Sequence, residues 1–242
     1  MKIGLASKKF VNRDIDQNIL TIIDTMKEAK ENNAEMICFG EAFLQGFDSL
    51  YWEYSKDKEI ALEISSSPIK RICHYAKEIG ICLSFGYIEN DKGLLYCSYM
   101  VINENGEIIY NFKRVSPGWK EPLAHSNYYK EGNNFSTFKY KNLTFAVGLC
   151  GDFWYEENIR QVAKLEKDIT LWPLYVDFST EDFEYKYKKD YAEQASKLES
   201  KVLFINSLSK DPDAFGGCLE FSNGNILNEL PLGTEGILYV EI

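Results

Sequence analysis

Histidine is almost missing from this chain: there are two in 242 residues, His74 and His125, far apart. None of the six cysteines, at 38, 73, 82, 97, 150 and 218, forms a Cys-x-x-Cys pair. A zinc site needs these ligands clustered at short spacings, so the pattern argues against one. Basic charge is also short, with 27 Lys+Arg against 37 Asp+Glu and a formal net charge of −10. Non-specific nucleic-acid binding rests on a basic footprint, so that class is disfavoured. No apolar run is long enough to cross a bilayer, and the start, Met1-Lys-Ile-Gly-Leu-Ala-Ser-Lys-Lys, carries neither a long apolar region nor a cleavage signal. Low-complexity linkers and internal repeats are missing too. Most cysteines lie in apolar strand-like or helical runs, where buried free thiols are common. Together these absences predict a cytoplasmic protein with no membrane or nucleic-acid partner.

What is present is ordinary globular material, 45% hydrophobic, ample for a sizeable core. Strand-like and helical runs alternate, which predicts an α/β layered fold. A first helix is expected over 16–32, with Ile19, Leu20, Ile23, Met26 and Ala29 near one face. A second starts near Ser67-Pro68, since proline suits a first turn, and runs to Glu78. Strands follow at 81–88 and 94–103, and Glu104-Asn-Gly106 reads as a hairpin turn into 108–112. Residues 44–54 are aromatic-rich and irregular, and 116–134 form a long non-periodic loop of the kind that often carries function. A strand, a cysteine turn, a helix and a strand lead to Pro173. An amphipathic helix over 185–200 and three short strands finish the chain. The two halves predict two sheets facing each other with helices outside, in one domain spanning 1–242.

The most informative run is Leu149-Cys150-Gly151-Asp152, which separates a strand-like stretch from a helical one. A turn of this kind lifts a sulfur off the sheet, and nearby backbone N–H groups can hold an anion. A lone cysteine is more often a structural thiol, and Cys38, Cys82, Cys97 and Cys218 are read that way. Cys150 differs by its context. Upstream, Ile37-Cys-Phe-Gly-Glu41 is an apolar strand ending on a carboxylate, where an apolar setting makes a better proton acceptor. Ile108-Ile-Tyr-Asn-Phe-Lys113-Arg114 is a strand ending on a basic pair, and strand alternation puts its two cations on opposite faces. Glu121 lies eight residues past Lys113. Strand ends in layered α/β proteins are where rigid elements aim functional side chains.

These four positions resemble the carbon–nitrogen hydrolases of the nitrilase superfamily, whose members carry a Glu–Lys–Cys triad, often with a second glutamate. Glu41, Lys113 and Cys150 are placed on the three motifs and Glu121 on the second glutamate. The resemblance extends over nearly the whole chain, from Lys2-Ile-Gly-Leu-Ala through Leu171-Trp-Pro173 and 191–206 to Gly216-Gly-Cys218 and Ser222-Asn-Gly-Asn-Ile. It implies a four-layer α-β-β-α sandwich of two mixed sheets, no metal or organic cofactor, and a homodimer paired through the helices behind the cysteine segment. Here those are the helix with Ile159, Val162, Ala163 and Leu165 and the helix over 185–200. It also implies cleavage of a small amide: Cys150 attacks, Glu41 handles the proton, and Lys113 with the Gly151 N–H stabilises the oxyanion. Glu121 is assigned to orienting Lys113 or the attacking water. Gly151, Trp119, Phe153, Trp154, Trp172 and Tyr175 are the candidate substrate-binding residues, with half of the aromatics equally suited to core. Asp152 is read as a cap for the following helix.

The sequence departs from the family where Gly40 replaces a usual proline, where Gly46-Phe47 replaces Gly-Tyr, where Phe153-Trp154-Tyr155 follows the Cys-Gly-Asp run, and where Gly217-Cys218 replaces a small residue and a serine. These positions shape the pocket wall, so the amide itself is not named by the sequence. Nitrile or N-carbamoyl hydrolysis on the same residues stays open, as does a non-catalytic binding or regulatory member of the fold.

Overall fold

The computed structural model describes residues 1–121, 124 and 127–242; Pro122 and His125 of the predicted loop lie outside them. In chain order the elements are β1 (Lys2–Ser7), α1 (Ile15–Glu31), β2 (Met36–Cys38), α2 (Tyr54–Ile60), α3 (Ser67–Ile79), β3 (Cys82–Asp91), β4 (Leu94–Ile102), β5 (Ile108–Lys113), β6 (Thr137–Tyr140) and β7 (Leu143–Val147). Then come α4 (Glu156–Ala163), β8 (Ile169–Leu174), the one-turn α5 (Thr180–Asp182), α6 (Lys188–Ser196), β9 (Lys201–Asn206), β10 (Leu208–Lys210), β11 (Asp213–Phe215), β12 (Cys218–Ser222), β13 (Asn225–Leu230) and β14 (Gly236–Glu241).

Local signals explain most of these boundaries. Asp14 caps α1 by accepting from the Gln17 N–H at 3.0 Å. Pro68 sits in the first turn of α3, and Gly80 ends it at φ 72°, where a β-carbon would be strained. The helix predicted over 185–200 is a continuous helical run from Thr180 to Ser196, in which a π turn at Phe183–Tyr187 joins α5 to α6. The stretch predicted as irregular gives way to α2 at Tyr54.

Two mixed six-stranded sheets result, ordered β14-β1-β2-β3-β4-β5 and β13-β12-β9-β8-β7-β6. The two-halves expectation needs one amendment. The last strand, β14, leaves the second half and pairs antiparallel with β1, from Lys2↔Glu241 to Ser7↔Gly236. Between the sheets lies one apolar core, built from Cys38, Tyr99, Val101, Phe145, Val147, Leu171 and Leu203. A second core fills the space under α1 and α3, where Ile19, Ile22, Met26, Ile69 and Ile72 meet Ile37, Leu83, Phe85 and Met100. Period-2 alternation in β2, β3 and β4 supplies both cores at once, since successive side chains point to opposite faces. Helices on the outer faces of paired sheets make the four-layer α-β-β-α arrangement.

Candidate active site

Glu41 follows β2 in a tightly constrained turn. Its N–H donates to the Leu174 carbonyl at 3.1 Å, tying the end of one sheet to the other. No β-carbon fits at Gly40, where it would lie 2.8 Å from the Leu174 carbonyl oxygen and closer still to Ser207 Oγ. That close approach explains why glycine stands where the family usually has proline. The Glu41 side chain is fully buried. Its Oε1 accepts from Arg114 Nη1 at 2.7 Å and from the Cys97 thiol at 3.3 Å. Its Oε2 is buried with no hydrogen-bond partner among the described residues.

The cation on Glu41 is therefore Arg114, and the assignment of Lys113 to this site is corrected. Lys113 Nζ lies 2.6 Å from Asp91 Oδ2 and 3.8 Å from Glu89 Oε1, over the Tyr96 ring. The physical reason is strand phase. Phe112 is buried and stacks on Phe135 between the sheets. Tyr110 packs on Phe138 on the same side. Arg114 is in phase with both, so it continues their face and Lys113 takes the opposite one. That signal was present in the sequence, in the aromatic residue two places before Arg114. Arg114 is 3% exposed. Burial opposes its charge, but the Glu41 carboxylate, the neighbouring thiols and Asp152 outweigh that and hold the guanidinium protonated more firmly than usual.

Cys150 opens the short helical turn Cys150–Trp154 after β7, at φ 40°. A left-handed backbone is rare for a residue with a β-carbon. Two contacts from β8 and the residue beyond it fix the turn: Trp172 Nε1 donates to the Cys150 carbonyl at 2.9 Å, and the Cys150 thiol points to the Tyr175 carbonyl at 3.9 Å. Burial, and then the Glu41 carboxylate, push the thiol up to about 12, while Arg114 pulls it down. Burial and the carboxylate both favour the protonated sulfur, so a thiolate here calls for a base or a cation beside it.

Asp152 is a tie between segments, not a cap for α4. Its carboxylate accepts from Val115 N at 3.1 Å, Ser116 N at 2.6 Å and Leu149 N at 2.8 Å. It thereby clamps the segment after β5, which includes Arg114, onto the cysteine turn. Burial pushes the carboxyl up to about 6 against the pull of Arg114 and the backbone donors.

The other sequence candidates separate. Glu121 is exposed, and no hydrogen bond or ion pair joins it to Lys113, Arg114 or Glu41. It lines a cavity of about 220 Å³ with Asp48, Trp52, Gly118 and Trp119. Trp119 is buried against Trp52 and Tyr129. Tyr175 stacks on Phe47 at that cavity and donates its hydroxyl to Asp48 at 2.6 Å. Phe153 and Trp172 are fully buried and pack edge to face, so both belong to the core. Trp154 is half-exposed beside Tyr191. Gly151 lies against the Arg114 guanidinium. Cys97, read from sequence as core, is buried but touches Glu41, and the pairing of β4 with β3, which also carries the turn after β2, brings it there.

A model of the family "Carbon-nitrogen hydrolase" matches residues 2–242. An aliphatic nitrilase from Rhodococcus rhodochrous is 22% identical over 283 aligned positions, covering 100% of this chain and 72% of that protein. A cyanide hydratase from Neurospora crassa is 24% identical over 178 positions, covering 67% of this chain but only 49% of that protein. Among solved structures, a mutant of the amidase from Nesterenkonia sp. AN1, showing Michael addition of acrylamide at its active-site cysteine, superposes with TM-score 0.83 at 18% identity. That match covers 100% of this chain and 93% of the amidase. The glutamine-dependent NAD+ synthetase from Acinetobacter baumannii superposes at TM-score 0.82 and 20% identity, covering 98% of this chain and 44% of the synthetase. At these identities the structures establish a shared fold. With the family match over almost every residue, the conclusion is plain: this chain belongs to the carbon–nitrogen hydrolase family, hydrolases of carbon–nitrogen bonds other than peptide bonds.

Proposed function

We propose that this protein hydrolyses a small amide through a thioester on Cys150, with Glu41 as the proton carrier and Arg114 as the fixed cation. One observation carries the reading. Glu41 holds one carboxylate oxygen on Arg114 and Cys97 and leaves the other, Oε2, buried without a partner among the described residues. A buried polar atom without a partner costs free energy, and an acceptor at a reaction centre is a reason to retain one.

The proposed reaction runs in two halves. Cys150 gives its proton to Glu41 Oε2 as sulfur bonds to the carbonyl carbon. The Gly151 N–H and the guanidinium face the developing oxyanion. The carbon–nitrogen bond breaks, the nitrogen takes the proton from Glu41, and the amine or ammonia leaves. Water then yields a proton to Glu41 and attacks the thioester, the acid departs, and the proton returns to sulfur. Arginine suits the cation's task because it stays charged throughout. All six cysteines are free thiols, which fits a cytoplasmic setting.

Nitrile hydrolysis is the second reading, and the relatives favour it: an aliphatic nitrilase and cyanide hydratases are among the sequence matches. Both readings use the same nucleophile. Ammonia release from a panel of short aliphatic amides, ω-amides, carbamoyl amines and nitriles separates them, with intact-protein mass spectrometry to trap the acyl adduct. Cys150→Ala is expected to lose the adduct and at least ~1000-fold in turnover, and Cys150→Ser nearly as much. Turnover above about a hundredth of wild type in the alanine variant refutes the nucleophile assignment.

A further inference from the structure

Where the family resemblance implies a lysine, this chain presents Arg114 to Glu41, and a guanidinium needs more room than an ammonium. The structure shows where that room comes from. A β-carbon on Gly151 would lie 2.5 Å from Arg114 Nη2, 3.5 Å from Arg114 Cζ and 3.3 Å from Ser116 Oγ. Real β-carbons do not approach a nitrogen at 2.5 Å. A flexible side chain could ordinarily swing aside, but this one is held on two other sides. Nη1 donates to Glu41 Oε1 at 2.7 Å, and Nε donates to Ser116 Oγ at 2.9 Å. Its backbone is also fixed, by an N–H to the Cys97 carbonyl at 2.9 Å. Moving Nη2 away from residue 151 therefore breaks the contact with Glu41 or the one with Ser116.

We propose that Gly151 is a positioning residue for Arg114, and that the two positions form one coupled device. The bare α-carbon of Gly151 leaves the space that seats Nη2 beside the Cys150 turn. This inference rests on the reading of Arg114 as the site's cation. A lysine at 114 can place one ammonium on Glu41 but has no planar fork to reach the Ser116 side and the Gly151 side together. Arg114→Lys leaves a void beside Gly151, which the methyl of Gly151→Ala would fill. The two substitutions are each harmful alone and compensate when combined.

The experiment is a double-mutant cycle over wild type, Arg114→Lys, Gly151→Ala and the double variant, read as kcat, KM and thermal midpoint. The expected losses in kcat are ~10-fold for Arg114→Lys and ~100-fold for Gly151→Ala, the latter being the scale of a displaced oxyanion donor. The double variant is expected within ~3-fold of Arg114→Lys, where independent effects would multiply to ~1000-fold. Its melting point is expected above that of Gly151→Ala. The alkaline limb gives a second readout, because lysine titrates where arginine does not: both Arg114→Lys proteins should lose activity at high pH before the arginine proteins do.

Multiplicative losses, or wild-type turnover in Gly151→Ala, overturn the proposal. If Gly151→Ala fails to fold and the double variant folds, the clash is confirmed; if neither folds, glycine is needed for another reason and the proposal falls. Should wild type turn over no amide or nitrile, the functional reading fails by itself. The coupling is then decided by melting points and by the rate of Cys150 alkylation in the four proteins.

Discussion

Replacing Arg114 with methionine is the sharpest test of which basic residue serves the site. The Arg114–Glu41 pair has side-chain exposures of 3% and 0%. Removing one partner of such a pair strands a charge in the interior, which costs roughly 3–5 kcal/mol. For a chain of this size each kcal/mol moves the melting point by roughly 2–4 °C, so Arg114→Met should melt roughly 6–20 °C lower. Lys113 provides the contrast. Its pairing with Asp91 is 25% and 43% exposed, and exposed pairs contribute about 0–1 kcal/mol. Glu89, the buried carboxylate near Lys113, keeps its bonds from Ser98 and Asn111 without it. Lys113→Met should therefore shift melting by no more than roughly 4 °C and leave turnover within ~3-fold. Arg114→Met should lose at least ~100-fold, the scale of one oxyanion donor. Adding Glu41→Gln to Arg114→Met removes the stranded charge. That double variant should regain most of the lost stability and none of the activity. Scanning calorimetry and an ammonia-release assay on the four proteins suffice. Equal activity losses at 113 and 114, or no stability recovery in the double variant, would refute the strand-phase argument.

Asp152 makes stability depend on pH in a calculable direction. Its folded-state value of about 6 lies above the ordinary aspartate value, so between pH 4 and 6 the unfolded chain loses this proton first. The stability advantage of wild type over Asp152→Asn should be greatest near pH 4 and shrink by up to ~3 kcal/mol by pH 6.5, staying flat above; melts from pH 4 to 8 that keep a constant difference would contradict this. A homodimer is also expected. Ile159 and Val162 are buried in their own protomer, so the pairing surface would instead use the half-exposed Trp154 and Tyr155. Light scattering at micromolar concentration should give twice the chain mass of 27.9 kDa, and a mass near that of one chain excludes a stable dimer.

The elements of the site that the sequence determined by itself are those set by local pattern. Cys150 follows a five-residue, mainly apolar strand at a glycine-containing turn, and Glu41 follows a strand of apolar residues. Strand and helix periodicity was enough to put both at the ends of rigid elements. The choice between Lys113 and Arg114 was also legible, because Phe112 fixes the phase of β5. It was missed because the side that alternation assigns to the core depends on what lies across it, here Phe135 of the facing layer.

Other features needed the tertiary structure. Asp152 spends its carboxylate on backbone N–H groups at 115 and 116, remote in sequence and adjacent only once β5 meets the cysteine turn. Cys97 reaches Glu41 because the β3–β4 ladder sets it beside the turn after β2, which is itself bonded to β3 at Gly86. Glu121 had the right spacing from the basic pair, but an exposed loop decides where its carboxylate points. Gly151 enters the sequence reading for its backbone N–H alone, and the structure adds the guanidinium of a residue 37 positions earlier, held 2.5 Å from where a β-carbon would be. Periodicity records which face a residue occupies; packing alone decides which atoms meet on that face.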